Sequence, residues 1–239
     1  MITKNEIKRI KNLQHKKNRK AEGLFIAEGK KTVLDLLKSG CKAEVIYTVD
    51  EIQNSDFISV TPKEMERITL LKSPSNVLGI FHINIQNQKK HPQKGVMMVL
   101  DGVTDPGNLG TIIRLCDWFG ISTLICSPNT VDCYNPKVVQ ATMGSLSNVL
   151  CVYTDLVAFL KKSNKPIYGT FMEGDSIYDT SLDTEGILVM GSESHGISKE
   201  VTKSIQHKLT IPRFGSASGA ESLNVALAAA IILGQAFKP

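Results

Sequence analysis

The sequence predicts an α/β protein in which a parallel sheet with helices on both faces follows a smaller mixed α/β domain. After residue 95, apolar segments without polar alternation are separated by helical segments, which is typical of a covered parallel sheet. Glycine-rich loops follow several of these strand segments. The stretch 86–94 is polar, contains a proline and has no apolar periodicity, which is typical of a linker. We therefore expect domains over 1–85 and 95–239, joined by a linker at 86–94.

The elements of the first domain follow from local periodicity and capping residues. Ile7, Ile10 and Leu13 have helical spacing within a basic run. Thr61 before Pro62 is typical of a helix cap followed by proline at the first helical position. The other predicted elements are strands at 24–27, 44–49 and 77–83 and a helix at 31–37 ended by Gly40.

The elements of the second domain alternate between apolar strands and amphipathic or apolar helices. Each strand is short and unbroken by charge, as in a sheet that is buried on both faces. The predicted strands lie at 96–100, 123–126, 149–153, 167–171, 187–190 and 207–211, and the helices at 108–119, 136–143, 155–162 and 222–237.

The composition indicates a globular protein of the reducing cytoplasm. Hydrophobic residues make up 42% of the 239 residues and charged residues 21%. No apolar run is long enough to span a bilayer, and the N-terminus lacks a secretory apolar segment. The five cysteines form no CxxC pair, which disfavours a zinc or redox role, and we expect Cys116, Cys126 and Cys151 to be core residues.

Positive charge is concentrated at the N-terminus. Residues 1–20 contain eight basic side chains and a single acidic one, while the whole chain has a net charge of +5. Such a segment is typical of a surface that binds a polyanion, although it also suits a solvated helix whose lysines serve only solubility. The candidate nucleic-acid contacts are Lys8, Arg9, Lys11, Lys16, Lys17 and Arg19.

Three loops follow strands of the predicted parallel sheet. The first runs from Asp105 to Gly110, the second from Gly191 to Gly196, and the third from Ile211 to Gly215, with Ser222 and Asn224 just beyond it. Ligands bind beyond the carboxyl ends of the strands in open parallel sheets, so we expect one shared site. Ser222 and Asn224 precede an apolar helix and are either caps or site residues.

Arg114 and Glu193 are the charged candidates in this region. Arg114 lies in an otherwise apolar helix, where it either pairs with a carboxylate such as Asp117 or Glu193 or grips a phosphate. Asn108 is a candidate cap for the same helix as well as a site residue. Glu193 either caps the next helix or positions Arg114 and Asn108, and His195 is expected to be a loop histidine.

Several familiar site motifs are absent from the sequence. No GxGxxG follows the first strand of the second domain, and the chain has no GxxxxGK[ST] phosphate loop. The stretch from Gly215 to Gly219 has the glycine spacing of a nucleophile elbow, but its central residue is Ala217. Dinucleotide binding, a class I methyltransferase fold and hydrolase chemistry are therefore disfavoured.

The three loops together closely resemble the motifs of the SpoU (TrmH-like) RNA 2′-O-ribose methyltransferases of the SPOUT superfamily. The resemblance rests on Asp105–Gly110 with Arg114, on Gly191–Gly196, and on Ile211-Pro212 with Ser222–Val225, and it covers 95–239. Residues 1–85 resemble the L30e-like RNA-binding domain found in one branch of the family, with Phe25–Gly29 after a basic helix as its typical opening.

The resemblance implies a parallel-sheet domain with a C-terminal trefoil knot, and a homodimer with the active site near the subunit interface. It also implies S-adenosylmethionine as the methyl donor, with no metal, held largely by backbone groups. The residues implied in cofactor binding are Gly169, Thr170, Met190, Gly191, Ile211 and Leu223.

The resemblance further implies a role for each polar residue of the loops. Arg114 is either the proton acceptor for the ribose 2′-hydroxyl or the group that orients the phosphate and that hydroxyl, since a guanidinium is normally a pure donor. Asn108, Glu193, Ser222 and Asn224 then position Arg114 and the ribose. The stretch 216–221 is longer than in many relatives, and no role is carried over to it.

The function implied is methyl transfer from S-adenosylmethionine to a ribose 2′-hydroxyl in structured RNA. An L30e-like domain docks on structured RNA by shape, which favours 23S ribosomal RNA. The alternatives are a tRNA 2′-O-methyltransferase and a non-catalytic RNA-binding or ribosome-assembly factor.

Overall fold

A computed structural model describes residues 2–50, 57–83, 95–183, 185–215 and 222–238. Contacts divide the chain into two compact units, which we call the first unit (1–87 with 132–148) and the second unit (88–131 with 149–239). The predicted linker at 86–94 and the insert at 216–221 lie outside the described residues. The predicted domain boundaries and the trefoil knot therefore stay predictions.

The helices and strands of the described residues largely follow the predicted pattern. In chain order they are α1 (Lys4–Asn12), α2 (Lys16–Glu22), β1 (Leu24–Glu28), α3 (Lys30–Lys38), β2 (Ala43–Thr48), β3 (Phe57–Ser59), α4 (Pro62–Ile68), β4 (Val77–His82), β5 (Met97–Asp101), α5 (Pro106–Trp118), β6 (Thr123–Cys126), α6 (Pro136–Thr142), β7 (Leu150–Tyr153), α7 (Leu156–Lys161), β8 (Ile167–Ser176), β9 (Ile187–Gly191), α8 (Lys199–Thr202), β10 (His207–Thr210) and α9 (Val225–Ala236).

The first unit is built on a mixed four-stranded sheet of order β1-β4-β2-β3. β4 runs antiparallel to both β1 and β2, and β3 runs parallel to β2. Buried side chains spread over residues 2–80 form one hydrophobic core of this unit, and they include Ile10, Leu13 and Ile68. Helix α6, which follows the second-unit strand β6 in the chain, packs beside β1 in this unit.

The second unit contains a six-stranded sheet of order β10-β8-β9-β5-β6-β7, in which every neighbouring pair is parallel. This arrangement confirms the predicted α/β class. The central strands are fully covered, with Val99, Ile125 and Val189 at 0% exposure. Since the strands are parallel, the loops after β5, β9 and β10 leave the same edge of the sheet.

Two helices begin more than one residue away from their predicted starts. α5 begins at Pro106, because Asp105 is its cap and accepts a hydrogen bond from the backbone N–H of Asn108 at 2.8 Å. α9 begins at Val225, and Asn224 caps it by accepting from two backbone N–H groups. Neither Asn108 nor Ser222 is therefore the cap of its helix.

The cysteines and the helix lengths agree with the composition. Cys116, Cys126 and Cys151 are buried and form no disulfide, and their burial confirms the prediction that they are core residues. Burial raises the pKa of the Cys116 thiol to about 12. Among the described residues, no helix has the length and apolar character needed to cross a membrane.

Helix α4 begins with a capping box that makes stability depend on pH. Hydrogen bonds from the backbone N–H groups of Thr61 and Ile2, and from the Thr61 hydroxyl, lower the pKa of Glu64 from 4.5 to about 2. A lowered folded-state pKa stabilises the protein at pH values above the ordinary pKa, and this stabilisation is lost as the pH falls through the folded-state pKa.

We expect Glu64→Gln to lower the urea midpoint relative to wild type at neutral pH, with the difference closing between about pH 5 and pH 2. Glu66→Gln, an exposed change on the same helix, serves as the control, and a difference for Glu64→Gln that stays constant with pH contradicts the expectation.

Candidate active site at the carboxyl edge of the parallel sheet

Side chains from three distant parts of the sequence form one hydrogen-bonded chain at the carboxyl edge of the sheet. The Asn108 amide nitrogen donates to the Glu193 carboxylate. The Asn108 amide oxygen accepts from the Asn224 amide nitrogen at 2.7 Å. The structure thus brings together Asn108, Glu193 and Asn224, which the sequence placed in three separate loops.

The helix caps fix both asparagines of this chain. Asp105 holds the backbone N–H of Asn108, so Asn108 lies in the first turn of α5 with its side-chain amide directed to Glu193 and Asn224. The Asn224 oxygen accepts from the backbone N–H groups of Ala226 and Leu227 at 2.9 and 3.2 Å. Asn224 is therefore both the cap of α9 and a member of the hydrogen-bonded chain, because its amide oxygen binds the helix N–H groups while its amide nitrogen donates to Asn108.

The loop that bears Glu193 is closed on itself. Ser192 and Gly196 exchange two backbone hydrogen bonds of 3.1 and 2.9 Å, and Glu193 lies between them. A Cβ atom on Gly191 would lie 2.1 Å from the backbone carbon of Gly196, a distance that no side chain tolerates. Glycine at 191 is thus required for the turn that presents Glu193.

Arg114 is exposed, and of its two predicted alternatives the ion pair with Asp117 or Glu193 is not observed, while contact with a phosphate stays a prediction. It lies on the solvent side of α5, one turn before the exposed Trp118. Among the described residues, its guanidinium forms no ion pair with Asp117, Glu193 or any other carboxylate. Arg114 does not join the chain of Asn108, Glu193 and Asn224, and its fork of donors faces outward.

Ser222 and His195 lie at the margin of the site. Ser222 is exposed and makes no hydrogen bond to another described residue. His195 is exposed and its Nδ1 lies 2.7 Å from the Ser194 hydroxyl, as expected for a loop histidine. The structure therefore supports site geometry for Asn224 more directly than for Ser222.

Within β8, the regular pairing with the neighbouring strands is interrupted just after the predicted cofactor residue Gly169. Pairing of β8 with β9 ends at Gly169, and pairing with β10 jumps from Gly169 to Asp175. Residues 170–174 form a bulge between these two stretches of pairing, and within it the Met172 carbonyl accepts from the Thr210 hydroxyl at 3.0 Å. Met190 and Gly191 end the adjacent strand β9, and Ile211 follows β10 directly. Leu223 is 47% exposed just before α9.

The basic residues of the N-terminus divide into two groups. Lys8, Lys11, Lys16 and Lys17 are exposed, as phosphate contact requires. Arg9 and Arg19 instead have carboxylate partners. The Arg9 guanidinium donates to Glu22 at 2.7 Å and to Glu44 at 2.6 Å.

Arg19 is a structural residue of the first unit. Only 1% of it is exposed, and it donates to the Asp132 carboxylate and to the backbone carbonyls of Leu13 and Gln14. A guanidinium buried in this way cannot reach an RNA phosphate. The expectation that Arg19 contacts RNA is therefore corrected, because the basic pattern alone did not reveal its partner more than a hundred residues away.

Sequence reasoning missed two carboxylates that organise the loops. Asp105 caps α5 and directly precedes Pro106, and an aspartate followed by proline is a sequence signal for the start of a helix. Asp101 ends the apolar strand β5 and is 7% exposed, and its Oδ2 accepts from the backbone N–H of Ser198 at 2.8 Å. Among the described residues, no group of three or more His, Cys, Asp or Glu side chains is arranged to hold a metal ion.

Comparison with known proteins places this geometry among RNA methylases. The family model of the SpoU rRNA Methylase family matches residues 95–234, and that of the MRM3-like substrate binding domain matches residues 4–79. The chain is 29% identical to the 23S rRNA (guanosine(2553)-2′-O)-methyltransferase RlmP of Bacillus subtilis, over 95% of this chain and 94% of that protein. It is 25% identical to the 23S rRNA (guanosine-2′-O-)-methyltransferase RlmB of Neisseria meningitidis, over 89% of this chain and 85% of that protein.

A solved structure agrees with these matches in fold. The crystal structure of an AdoMet-bound rRNA methyltransferase from Sinorhizobium meliloti has a TM-score of 0.87 and 30% identity, and the match covers 99% of this chain and 95% of that one. The shared parallel sheet, the three loops at its carboxyl edge and the family match over 95–234 lead to one conclusion. The chain belongs to the SpoU rRNA methylase family.

Proposed function

We propose that the protein transfers a methyl group from S-adenosylmethionine to a ribose 2′-hydroxyl of ribosomal RNA. The observation that carries the proposal is the hydrogen-bonded chain of Glu193, Asn108 and Asn224 at the carboxyl edge of the parallel sheet. Arg114 is exposed on the same helix as Asn108, six residues further along. The relatives named above are ribosomal RNA 2′-O-methyltransferases, which supports the same reaction here.

The polar side chains divide the work of binding and orientation. Arg114 presents a planar fork of donors to solvent, which suits it to hold an RNA phosphate in two hydrogen bonds. Asn108, locked between Glu193 and Asn224, keeps the start of α5 in a fixed position. Ser222, two residues before Asn224 in the chain, supplies an exposed hydroxyl for the ribose. Holding the reacting groups in a fixed orientation lowers the activation barrier of methyl transfer by about several kcal/mol.

Residues on or just after the three neighbouring strands β8, β9 and β10 are the proposed binding site for the cofactor, whose polar groups they would hold. The bound cofactor supplies an electrophilic methyl group on a sulfonium. Gly169 and Thr170 lie where the regular pairing of β8 is interrupted, and Met190 and Gly191 end β9 beside it. Ile211 and Leu223 complete the proposed set from the third loop and the approach to α9.

The first unit is proposed to hold the RNA. Residues 1–87 and 132–148 contain 16 basic and 11 acidic side chains, whereas the second unit is balanced with 12 of each. The chain's net charge of +5 thus belongs to the unit that matches a substrate-binding domain. The exposed lysines of α1 and α2 are its proposed phosphate contacts, namely Lys8, Lys11, Lys16 and Lys17.

The test is methyl incorporation from labelled S-adenosylmethionine into purified 23S rRNA, 16S rRNA and tRNA, followed by alkaline hydrolysis. A methylated 2′-oxygen cannot attack the neighbouring phosphodiester, so the label is expected in an alkali-resistant dinucleotide from 23S rRNA. Label in tRNA alone would replace ribosomal RNA with tRNA as substrate. RNA binding without incorporation, and without heat of S-adenosylmethionine binding, would favour the non-catalytic assembly factor. We further propose that the enzyme acts in the cytoplasm.

We also propose that the protein is a homodimer formed through α5 and α9. These helices pack against each other, with the rings of Phe119 and Phe237 5.2 Å apart. Trp118 on α5 is 84% exposed and Leu227 on α9 is 59% exposed, with Ile231 one turn further along the same face. Large apolar side chains exposed together are typical of an interface, and a second copy would cover them beside Arg114.

Replacing Trp118 with aspartate is expected to convert the dimer to a monomer, because the change removes the largest exposed apolar side chain of this face and puts a charged group in its place. Sedimentation velocity at several protein concentrations measures the change, with Tyr178→Asp as the control since Tyr178 is 48% exposed outside α5 and α9. Dimers of unchanged stability in Trp118→Asp would rule out this face as the interface.

A further inference from the structure

We propose that Asp101 is a positioning residue for methyl transfer, which acts by fixing the loop that bears Glu193. The inference rests on the proposed function for its catalytic consequence, and on contacts of the described residues for its geometry. Asp101 ends β5, is 7% exposed and lies within a sheet whose neighbouring residues are apolar. A carboxylate at such a position requires a strong hydrogen-bond partner to offset the loss of water.

Asp101 contacts the Glu193 loop at both of its ends. Its backbone is aligned with Gly191, the last residue of β9, in the parallel ladder. Its carboxylate Oδ2 accepts from the backbone N–H of Ser198, where the loop enters α8, at 2.8 Å. Ser198 is the cap residue of α8, but its side chain makes no capping hydrogen bond. Only its backbone N–H takes part in the contact with Asp101.

Between these two ends the loop has little freedom. Ser192 and Gly196 are joined by two backbone hydrogen bonds, and Ile197 is 8% exposed in the core of the second unit. A shift of Ser198 is therefore passed through Ile197 and Gly196 to Glu193. Because Glu193 holds the side-chain amide of Asn108, loss of the Asp101 contact displaces the start of α5 as well.

Two variants separate this role from a general loss of stability. Asp101→Ala removes the acceptor, whereas Asp101→Asn keeps an oxygen that accepts from Ser198. We expect Asp101→Ala to lower kcat by about 10- to 100-fold, the size of effect that small misplacements cause, and Asp101→Asn to restore it to within about 3-fold of wild type. The Kd for S-adenosylmethionine and the KM for RNA are expected to stay within about 3-fold, because β9 remains paired with β5 from Ile187 to Gly191.

Ser127→Ala is the matched control. The Ser127 hydroxyl accepts from the backbone N–H of Gly102 at 2.9 Å and lies 2.9 Å from the Thr130 hydroxyl, so this variant removes buried hydrogen bonds beside Asp101 and leaves the bond between Asp101 and Ser198 in place. Its kcat is expected to stay within about 3-fold of wild type even where its melting temperature falls as far as that of Asp101→Ala.

The donor side of the contact gives a second test. Ser198 has φ −60°, which proline adopts, so Ser198→Pro removes the N–H donor at a permitted φ, and its ring displaces the Asp101 carboxylate from this position. In the Asp101→Ala background the N–H has already lost its partner, and we expect Ser198→Pro to lower kcat little further, although it lowers kcat alone. Amide hydrogen exchange over 192–198 is expected to speed up in Asp101→Ala and not in Asp101→Asn, a readout that does not depend on activity.

The outcomes distinguish this proposal from the proposed function. Absence of methyl incorporation by the wild-type protein overturns the proposed function, and hydrogen exchange then still decides whether Asp101 fixes the loop. Incorporation by wild type together with equal kcat for Asp101→Ala and Ser127→Ala overturns the positioning role. Equal loss of kcat in Asp101→Asn and Asp101→Ala also overturns it, since the charge and not the hydrogen bond would then be required.

Discussion

Replacing Arg114 with alanine is expected to lower the rate of methyl transfer to RNA by about 10²- to 10³-fold, the loss seen when an oriented electrostatic contact is removed. Arg114 is exposed on α5, and among the described residues it has no carboxylate partner, so its removal leaves no buried charge behind. The fold, the dimer and the binding of S-adenosylmethionine should therefore persist. Single-turnover kinetics with labelled cofactor measure the rate directly.

Two control variants sharpen this prediction. Arg114→Lys keeps the charge but loses the planar fork, so a large loss of rate in this variant as well indicates bidentate contact with phosphate. Thr111→Ala, one turn earlier on the same exposed face, should leave the rate within about 3-fold of wild type. Undiminished transfer by Arg114→Ala would remove Arg114 from the reaction.

Replacing Arg19 with methionine is expected to lower the free energy of unfolding of the first unit by about 3–5 kcal/mol, the typical cost of removing one partner of a buried ion pair. The change leaves Asp132 Oδ2 and the carbonyls of Leu13 and Gln14 without the guanidinium donor. Asp132 is itself only 15% exposed at its side chain, so water replaces the lost contact poorly. Urea unfolding followed by circular dichroism measures the loss.

Lys17→Met is the matched change for the same basic segment, because Lys17 lies on α2 with Arg19 but is exposed. We expect Lys17→Met to leave stability unchanged and to weaken RNA binding, with a smaller dependence of affinity on salt. The reverse pattern, a stable Arg19→Met with weakened RNA binding, would contradict the structural role of Arg19 and restore it as an RNA contact.

The parallel sheet was predictable because its strands are apolar runs with a clear length. β6 was predicted with the bounds that the structure shows, and β5 and β9 within one residue at each end. The short elements α2, β3 and α8 were not predicted, since three to seven polar or mixed residues show no reliable period. The start of α5 was misplaced because Asn108 was considered as its cap, although Asp105 before Pro106 gives the stronger signal.

The candidate site was predictable in its membership but not in its contacts. The order of strands in a parallel sheet brings the three loops to one edge, so Asn108, Glu193 and Asn224 were expected near one another. The direction of a side chain on a helix surface depends on packing that a sequence alone does not reveal, and Arg114 accordingly proved exposed. The partners of Arg19 and Asp101 lie 113 and 97 residues away in the chain, beyond the reach of any local pattern.

The most direct test of the central proposal is a map of ribose methylation in the ribosomal RNA of cells with and without the gene for this protein. We expect a 2′-O-methyl group in 23S rRNA that is lost on deletion, returns with the wild-type gene and does not return with Arg114→Ala. Identical maps of ribosomal RNA with and without the gene would contradict the proposal that this chain is a ribosomal RNA ribose methyltransferase.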